Sequence, residues 1–117
     1  MPPPDLVFYH WSPTTRRAGI LRRGLDVGSM SLTRDWRPPY ICFSDEPLLA
    51  WTLSGRMYPD VESWDLWMVY ASQTAGYEAI LELYNDGSGR HYCKEYRVYE
   101  RIYKRYVHYL ATREVCR

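Results

Sequence analysis

Residues 92–100 read Tyr92-Cys93-Lys94-Glu95-Tyr96-Arg97-Val98-Tyr99-Glu100, an alternating run with one carboxylate in its middle. Successive side chains of a β-strand point to opposite faces of the sheet. The run therefore predicts a strand that places Glu95 on the same face as Cys93, Arg97 and Tyr99. Taken alone, it favours a solvent-exposed Glu95 paired with Arg97, because charged sheet faces are common.

A strong turn signal precedes this strand. Residues 85–89 read Asn85-Asp86-Gly87-Ser88-Gly89, and Asn, Asp and Gly tolerate the positive φ angles of tight turns. The segment before the turn, residues 78–84, fits a further strand or, as the alternative, a helical turn. The turn predicts a hairpin that leads into the Glu95 strand.

The amino-terminal part predicts a strand followed by a helix. Residues 6–11 are a short, apolar, β-prone run with His10 near its end. Thr14 or Thr15 can cap a helix that Gly24 ends. This helix is expected to turn three apolar side chains inward, namely Ala18, Ile20 and Leu21.

The middle and the end of the chain predict further short elements. Residues 40–44 form a compact β-prone run, and Asp45-Glu46-Pro47 then has the acids and the proline of a helix start. That helix is expected to extend to about residue 53 and to bury Leu48. Residues 64–71 indicate another strand. A closing strand is expected within residues 103–115, with a helical turn at its start as the alternative for residues 103–106.

Length and composition indicate one domain over residues 1–117, in which residues 1–5 are expected to be flexible. A chain of 117 residues can form a single core but not two, and 46% hydrophobic residues argue against general disorder. The aromatic residues are twelve Tyr and five Trp against two Phe. Tyr and Trp join a polar atom to a flat apolar body, which suits half-buried sheets and pockets that stack planar ligands.

Charge is distributed unevenly along the chain. Residues 1–34 have five basic and two acidic side chains (net +3), residues 35–86 have two and nine (net −7), and residues 87–117 have eight and three (net +5). A basic end region can contact phosphates or an acidic partner, but most basic runs of this kind are ordinary solvated surfaces.

The cysteines and the apolar runs indicate an intracellular protein. Three widely spaced cysteines, Cys42, Cys93 and Cys116, have neither a disulfide pattern nor a zinc-ligand spacing, so no metal is expected. The start of the sequence lacks the features of a signal peptide, and no apolar run has membrane-spanning length. A cytoplasmic location without a membrane partner is therefore expected.

Three segments now stand in a suggestive order: Tyr9-His10-Trp11-Ser12, then Tyr40-Ile41-Cys42-Phe43-Ser44-Asp45, then Lys94-Glu95-Tyr96-Arg97-Val98-Tyr99-Glu100. Together they resemble the ADP-ribosyltransferases of the diphtheria-toxin and poly(ADP-ribose) polymerase type, whose signature is an ordered His, Tyr and Glu. The third segment is the most similar one. The resemblance extends from residue 7 to about residue 110.

The resemblance implies an α+β fold of two packed, mostly antiparallel sheets with short helices around an NAD cleft. It implies that His10 hydrogen-bonds the adenosine-side ribose of NAD and that Ser12 supports the nicotinamide side. Glu95 would accept a hydrogen bond from the 2′-hydroxyl of the nicotinamide ribose and stabilise the oxocarbenium-like transition state. Six residues would line the cleft, namely Trp11, Ser12, Tyr40, Cys42, Ser44 and Trp51.

The sequence departs from the family pattern at two positions. Cys42 stands where the family has its Tyr and cannot stack on nicotinamide, and Trp11 stands where a Gly usually follows the His. Tyr40 is expected on the same strand face as Cys42, so it is the preferred substitute for the missing ring, with Trp51 as the second candidate. A nucleophilic pair of Cys42 or Cys93 with His10 or His91 is disfavoured, because nothing in the flanking sequence would activate either thiol.

Three functions follow as hypotheses. The first is an enzyme that transfers ADP-ribose from NAD to an unidentified macromolecular acceptor, protein or nucleic acid, and releases nicotinamide. The second is a catalytically degenerate member of the same fold that binds a nucleotide, a nucleic acid or a protein. The third is a small structural protein without a ligand. Nicotinamide release and its dependence on Glu95 distinguish the first from the others.

Overall fold

The structure is a computed structural model that describes residues 5–27, 39–48, 60–85 and 90–115. Over these ranges the chain forms two small antiparallel sheets with few helices, which is an α+β architecture. The strands are β1 (Val7–Pro13), β2 (Ile41–Phe43), β3 (Ser63–Tyr70), β4 (Glu78–Asn85), β5 (Arg90–Val98) and β6 (His108–Glu114). Helix α1 (Arg17–Arg23) lies wholly within the described ranges, and short 3-10 helices cover Thr14–Arg16, Ala71–Gln73 and Lys104–Tyr106.

The first sheet has the strand order β1-β3-β6. In its antiparallel register His10 lies opposite Trp67, and Asp65 lies between Ser12 on one side and Thr112 on the other. The register between β3 and β6 shifts after Leu66. Residues directly opposite each other in antiparallel strands share a face, so His10, Trp67, Ser12 and Asp65 all belong to one face of this sheet.

The second sheet has the strand order β2-β5-β4 and carries the Glu95 strand in its centre. The hairpin expected before Glu95 is confirmed by the antiparallel pairing of β4 with β5, in which Ile80 lies opposite Glu95. Residues 86–89 of the expected turn lie outside the described residues. On the other side of β5, Cys42 lies opposite Arg97.

The two sheets meet at one corner and pack through aromatic rings. Tyr9 of β1 and Ser44, just after β2, exchange two main-chain hydrogen bonds of 2.7 and 3.1 Å. Beneath this corner the ring of Phe8 lies 5.5 Å from Phe43 and 4.7 Å from Tyr96, measured between centroids. The core between the sheets is completed by buried apolar side chains, namely Ile20, Leu25, Ile41, Trp67, Val69, Ala71, Val98 and Ile102.

A second, smaller apolar cluster covers the opposite face of the first sheet. It contains Trp11, Trp64 and Leu66, with Val61 packed against it. Trp11 alternates with His10 along β1, so its ring points away from the core that contains Phe8.

Helix α1 follows β1 through a 3-10 turn and is short because its sequence supplies only a narrow apolar side. Ile20 is buried, as expected, but Ala18 and Leu21 are exposed, so the prediction that they face inward is wrong. The helix packs on the core by a single side chain, since seven residues make only two turns. Neither Thr14 nor Thr15 provides a side-chain cap to the helical segment, which corrects the expected N-terminal capping.

Gly24 ends the helix, as the sequence predicts, and also permits a close packing that the sequence does not reveal. Its φ angle is +90° and its N–H bonds the carbonyl oxygen of Ile20. A Cβ atom at this position would lie 2.0 Å from the carbonyl oxygen of Ile102 and 2.7 Å from the nitrogen of Lys104. The next residue, Leu25, pairs with Ile102 through two hydrogen bonds of 2.9 Å.

The remaining expectations are partly confirmed. The strand predicted over residues 64–71 corresponds to β3, and the closing strand is β6, preceded by the helical turn that was the alternative for residues 103–106. Helical backbone does begin at Pro47, but Leu48 is 68% exposed, so the prediction that it is buried is wrong. Within the described ranges, no helix has the length and apolar character needed to cross a membrane.

Candidate functional site

The two faces of β5 have different environments, as its alternating sequence predicts. Tyr96 and Val98 are 2% and 0% exposed and pack in the core between the sheets. Glu95 and Arg97 point to the other face, where their side chains remain partly accessible. The alternation therefore separates a core face from a face that carries ionisable groups.

Cys42 provides the thiol that contacts Glu95. Its Sγ atom lies 2.7 Å from Oε1 of Glu95 and donates a hydrogen bond to it. The contact is diagonal across the sheet, because the residue directly opposite Cys42 is Arg97. Burial raises the pKa of the Cys42 thiol well above its ordinary value, and the hydrogen bond to Glu95 and its negative charge raise it further. A thiol in this state is a weak nucleophile.

Arg97 holds the other oxygen of Glu95. Its Nη2 atom lies 3.0 Å and its Nε atom 3.3 Å from Oε2, which confirms the expected charge pair. The guanidinium also lies over the ring of Tyr40, 4.4 Å from the centroid, and Tyr40 in turn meets the ring of Tyr99 at 5.8 Å. Both carboxylate oxygens of Glu95 thus have a donor, and one face of the Tyr40 ring is covered by a cation.

His10, on strand β1 of the first sheet, contacts strand β2 of the second sheet. Its Nδ1 atom lies 2.7 Å from the main-chain oxygen of Cys42. A carbonyl oxygen only accepts, so Nδ1 carries the proton and donates it. In the neutral ring Nε2 is then an acceptor, and this buried atom has no hydrogen-bond partner among the described residues. The ring itself is 6% exposed and packs 5.4 Å from Phe43.

The imidazole is kept neutral by its surroundings. Burial lowers the pKa of His10 from 6.5 to about 4; the hydrogen bond to Cys42 opposes this shift, and the charge of Arg16 adds to it. At neutral pH the side chain therefore offers one N–H and one lone pair rather than a positive charge.

A second unpartnered polar atom lies opposite His10 on the same face of the sheet. The Nε1 atom of Trp67 is buried and has no acceptor within the described part of the chain. His10 lacks a donor and Trp67 lacks an acceptor, so their requirements are complementary. A hydroxyl group or a water molecule is the kind of group that can satisfy both atoms, since it donates and accepts.

Cys42 joins the three segments that the sequence singled out. Its carbonyl oxygen accepts from His10, its thiol donates to Glu95, and Arg97 fixes the far side of the carboxylate. The result is a partly exposed carboxylate and a neutral, buried imidazole that contact the same residue, Cys42. Such an arrangement can stabilise a developing positive charge through Glu95 and accept a hydrogen bond from a hydroxyl through His10.

The other expected cleft residues lie in different surroundings. Ser12 is fully buried, and its hydroxyl bonds only the adjacent Pro13 oxygen at 3.4 Å among the described residues. The hydroxyl of Ser44 accepts from the N–H of Glu46 at 3.2 Å and so shapes the turn after β2. The indole N–H of Trp11 donates to the oxygen of Pro47 at 3.0 Å. Trp51 lies outside the described residues.

A buried carboxylate that the sequence reasoning missed lies on the same sheet as His10. Asp65 is 0% exposed and receives two hydrogen bonds from Arg17 (2.7 and 2.8 Å) and one from Thr112 (2.6 Å). Burial alone would raise the pKa of Asp65, but these bonds and the charge of Arg17 outweigh it and lower the pKa. The available signal was one acid within an apolar run, Trp64-Asp65-Leu66-Trp67, since a buried acid requires a partner.

The described residues contain no group of three His, Cys, Asp or Glu side chains arranged to hold a metal ion. Comparison with models of protein families and with curated proteins finds no match to this sequence. Any inference about function therefore depends on the geometry around Glu95 and on the sequence motifs.

Proposed function

We propose that the protein is an NAD-dependent ADP-ribosyltransferase that transfers ADP-ribose to a macromolecular acceptor and releases nicotinamide. The observation that carries the proposal is the meeting of His10, Cys42 and Glu95, three positions far apart in sequence that correspond in order to the His, Tyr and Glu of that family. A chance similarity of three short motifs would give no reason for them to converge on one residue.

Glu95 is the proposed catalytic carboxylate. In the reaction the bond between C1′ of the ribose and the nicotinamide nitrogen breaks, and its electron pair leaves with nicotinamide. The ribose becomes oxocarbenium-like until a lone pair of the acceptor forms the new bond to C1′ and the acceptor loses its proton to a base. A carboxylate held beside the ribose stabilises this positive charge, and it can accept the proton.

Arg97 and Cys42 hold the carboxylate of Glu95 in one orientation before substrate binds. Each carboxylate oxygen can accept two hydrogen bonds, so a ribose hydroxyl can bind Oε1 alongside the Cys42 thiol. Preorganisation of this kind lowers the reorganisation needed during the reaction.

His10 is the proposed ribose anchor. Its Nε2 lone pair is available because Nδ1 is bound to the Cys42 oxygen, and the pKa of about 4 keeps it available at neutral pH. A ribose hydroxyl that reaches this buried atom can donate to it. The ring that would stack on nicotinamide is assigned to Tyr40, whose second face is the one not covered by Arg97.

A binding protein without catalytic activity is the second candidate. Cys42 favours it, because a thiol stands where the family has an aromatic ring and cannot stack on nicotinamide. Trp11, which bonds to Pro47, occupies the position where the family backbone approaches its ligand. This candidate predicts measurable affinity for NAD without nicotinamide release.

Release of nicotinamide tests the proposal. The purified protein is incubated with NAD and with protein, RNA or DNA acceptors, and nicotinamide is quantified by chromatography. Glu95→Gln keeps the size of the side chain but removes its charge, so turnover should fall by a factor of about a hundred or more while NAD affinity changes little.

Glu114→Gln is the matched control, because it removes the same charge from the exposed strand β6. This control should release nicotinamide at the parent rate. Turnover that is equal in the Glu95→Gln variant and the parent would contradict the assignment of Glu95. NAD binding by the parent without any nicotinamide release would select the second candidate.

A further inference from the structure

The fold brings two basic segments together that are about 80 residues apart in sequence. Helix α1 ends with Arg22 and Arg23, and the segment that includes Arg101, Lys104 and Arg105 packs directly against this end. Arg101 donates hydrogen bonds to the main-chain oxygen of Arg23. The close approach of Gly24 to the backbone of residues 102–104 holds the two segments in contact.

Most of the cations at this junction have no acidic partner. Arg101 forms an ion pair with Asp26 at 3.2 Å. Within the part of the chain that the structure describes, the other four basic residues of the junction form no ion pair and are exposed; they are Arg22, Arg23, Lys104 and Arg105. The two acids nearest in sequence are Asp26, which Arg101 holds, and exposed Glu100. A concentration of unpaired positive charge therefore remains at the surface.

Aromatic rings are interleaved with these cations. Tyr103 is 59% exposed, and the guanidinium groups of Arg101 and Arg105 lie 5.7 and 6.0 Å from its ring centroid. Arg105 also lies 4.8 Å from the ring centroid of Tyr106. A solvated charge run requires no exposed ring, whereas unpaired bases stack on exposed aromatic side chains and on arginine planes.

The junction lies at the far end of α1 from the proposed site. The helix has seven residues and a length of about 10 Å, and Arg16, just before it, is close enough to His10 to lower its pKa. A polymer bound at the carboxyl end of α1 would therefore have to extend only a few nucleotides to approach His10.

We propose that Arg22, Arg23, Tyr103, Lys104 and Arg105 form a binding surface for single-stranded nucleic acid, here called the basic-aromatic surface. The cations contact backbone phosphates, and Tyr103 stacks with an unpaired base. A duplex lacks an unpaired base and an acidic protein lacks the planar base, so the exposed ring favours a single strand. This surface is distinct from the Glu95 site and does not require NAD.

Fluorescence anisotropy with a labelled single-stranded 20-nucleotide DNA and with its duplex tests the inference. We expect tighter binding of the single strand, with an affinity that falls as salt rises. Arg105→Gln removes one phosphate contact, so the slope of log affinity against log salt should lose about 0.7 of its magnitude. Tyr103→Ser removes the ring and should weaken binding about tenfold.

Two matched variants control for a loss of positive charge elsewhere on the protein and for the loss of the tyrosine hydroxyl. Arg113→Gln makes the same change of charge at an exposed position near the end of β6 and should bind like the parent. Tyr103→Phe keeps the ring and should also bind like the parent. An equal loss of affinity for the single strand in Arg105→Gln and Arg113→Gln would contradict the proposed surface. Equal affinity of the parent for single strand and duplex would also contradict it. So would binding to anionic lipid vesicles without binding to DNA.

The inference and the proposed function can fail separately. Binding to DNA is measured without NAD, and nicotinamide release is measured in separate reactions with protein, RNA and DNA acceptors. Loss of DNA binding in Tyr103→Ser with unchanged release of nicotinamide supports the surface and leaves the catalytic proposal untouched. DNA binding by a parent that never releases nicotinamide supports the surface and excludes the transferase.

Discussion

The thiol of Cys42 lies 2.7 Å from a carboxylate oxygen of Glu95 and donates to it, while the carbonyl oxygen of the same cysteine accepts from His10. Cys42 thus connects the two residues on which the proposed function depends. The thiol is protonated because it is buried and because Glu95 is negative next to it. Any change in the charge of Glu95 must therefore be reflected in the thiol.

The reactivity of Cys42 should report this coupling. In a chain with Cys93→Ser and Cys116→Ser, Cys42 is the single thiol, and we expect it to react slowly with a thiol-specific reagent at pH 8. Glu95→Gln removes the negative charge, lowers the thiol pKa and should accelerate the reaction about tenfold or more. The reaction is followed by absorbance under pseudo-first-order conditions.

Glu78→Gln is the control for that experiment, because it removes the same charge from a neighbouring strand of the same sheet. Its reaction rate should equal that of the parent. Equal rates in Glu95→Gln and Glu78→Gln would show that the carboxylate of Glu95 does not control the thiol.

The buried His10 should make folding stability depend on pH. The pKa of His10 is about 4 in the folded protein and about 6.5 in the unfolded chain, so the unfolded chain binds more protons between these values. The contribution is therefore fully present above about pH 6.5 and is lost as pH falls toward 4. It amounts to about 3 kcal/mol at about 1.4 kcal/mol for each pH unit.

Urea unfolding at a series of pH values measures this effect. His10→Asn keeps an N–H donor for the Cys42 oxygen but does not titrate. Between pH 7 and pH 4 the free energy of unfolding should fall in both proteins, and the fall should be about 3 kcal/mol smaller in His10→Asn than in the parent. His108→Asn, at an exposed position of β6, should retain the parent's pH dependence. Parallel curves for the parent and His10→Asn would refute the burial of a neutral imidazole.

Gly24 should tolerate no side chain. A Cβ atom would lie 2.0 Å from the Ile102 oxygen, and the φ angle of +90° is unfavourable for any other residue. Gly24→Ala should therefore lower the free energy of unfolding by about 3 kcal/mol or more. Gly19 lies on the same helix with nothing within 4 Å of its Cβ position, so Gly19→Ala should be neutral or stabilising by up to about 1 kcal/mol. Similar urea midpoints for the two variants would contradict the close packing.

The ion pair of Arg17 with Asp65 should stabilise the protein except at acid pH. The lowered pKa of Asp65 means that its contribution is present above the ordinary value of about 3.9 and is lost as pH falls through the folded-state value. Arg17→Gln should lower Tm by several degrees at pH 7, and the difference should shrink below pH 4. Arg22→Gln, on the same helix, should leave Tm unchanged. A Tm difference between Arg17→Gln and the parent that does not vary with pH would argue against an ionised Asp65.

Local patterns predicted the strands, because alternation and turn residues act within a few positions. The alternation around Glu95 correctly separated buried Tyr96 from partly exposed Arg97, and the turn before it correctly implied the β4–β5 hairpin. The pairing of β2 with β5 is different in kind. It joins residues more than 50 positions apart, and only the family resemblance placed Cys42 and Glu95 at the same cleft; it did not predict the bond between them.

The burial of a side chain depends on the elements that pack against its own element, so the sequence predicted burial less well than it predicted the strands. Leu21 is as apolar as Ile20, yet it is exposed because α1 packs on the core by a single side chain. Asp65 is buried because Arg17 and Thr112 reach it from two other elements. Neither outcome follows from hydrophobic periodicity, since both depend on contacts made after the elements assemble.

The proposed site depends on the two main-chain hydrogen bonds between Tyr9 and Ser44, which join the two sheets. His10 belongs to one sheet and Glu95 to the other, so the site lies across a seam, and these two bonds hold the seam next to it. Opening of this corner would move His10 away from Cys42 and would also loosen the packing of Phe8 on Phe43 beneath it. The hydrogen-exchange rates of these two amides therefore report how often this corner opens and the proposed site comes apart, and they can be measured without any ligand.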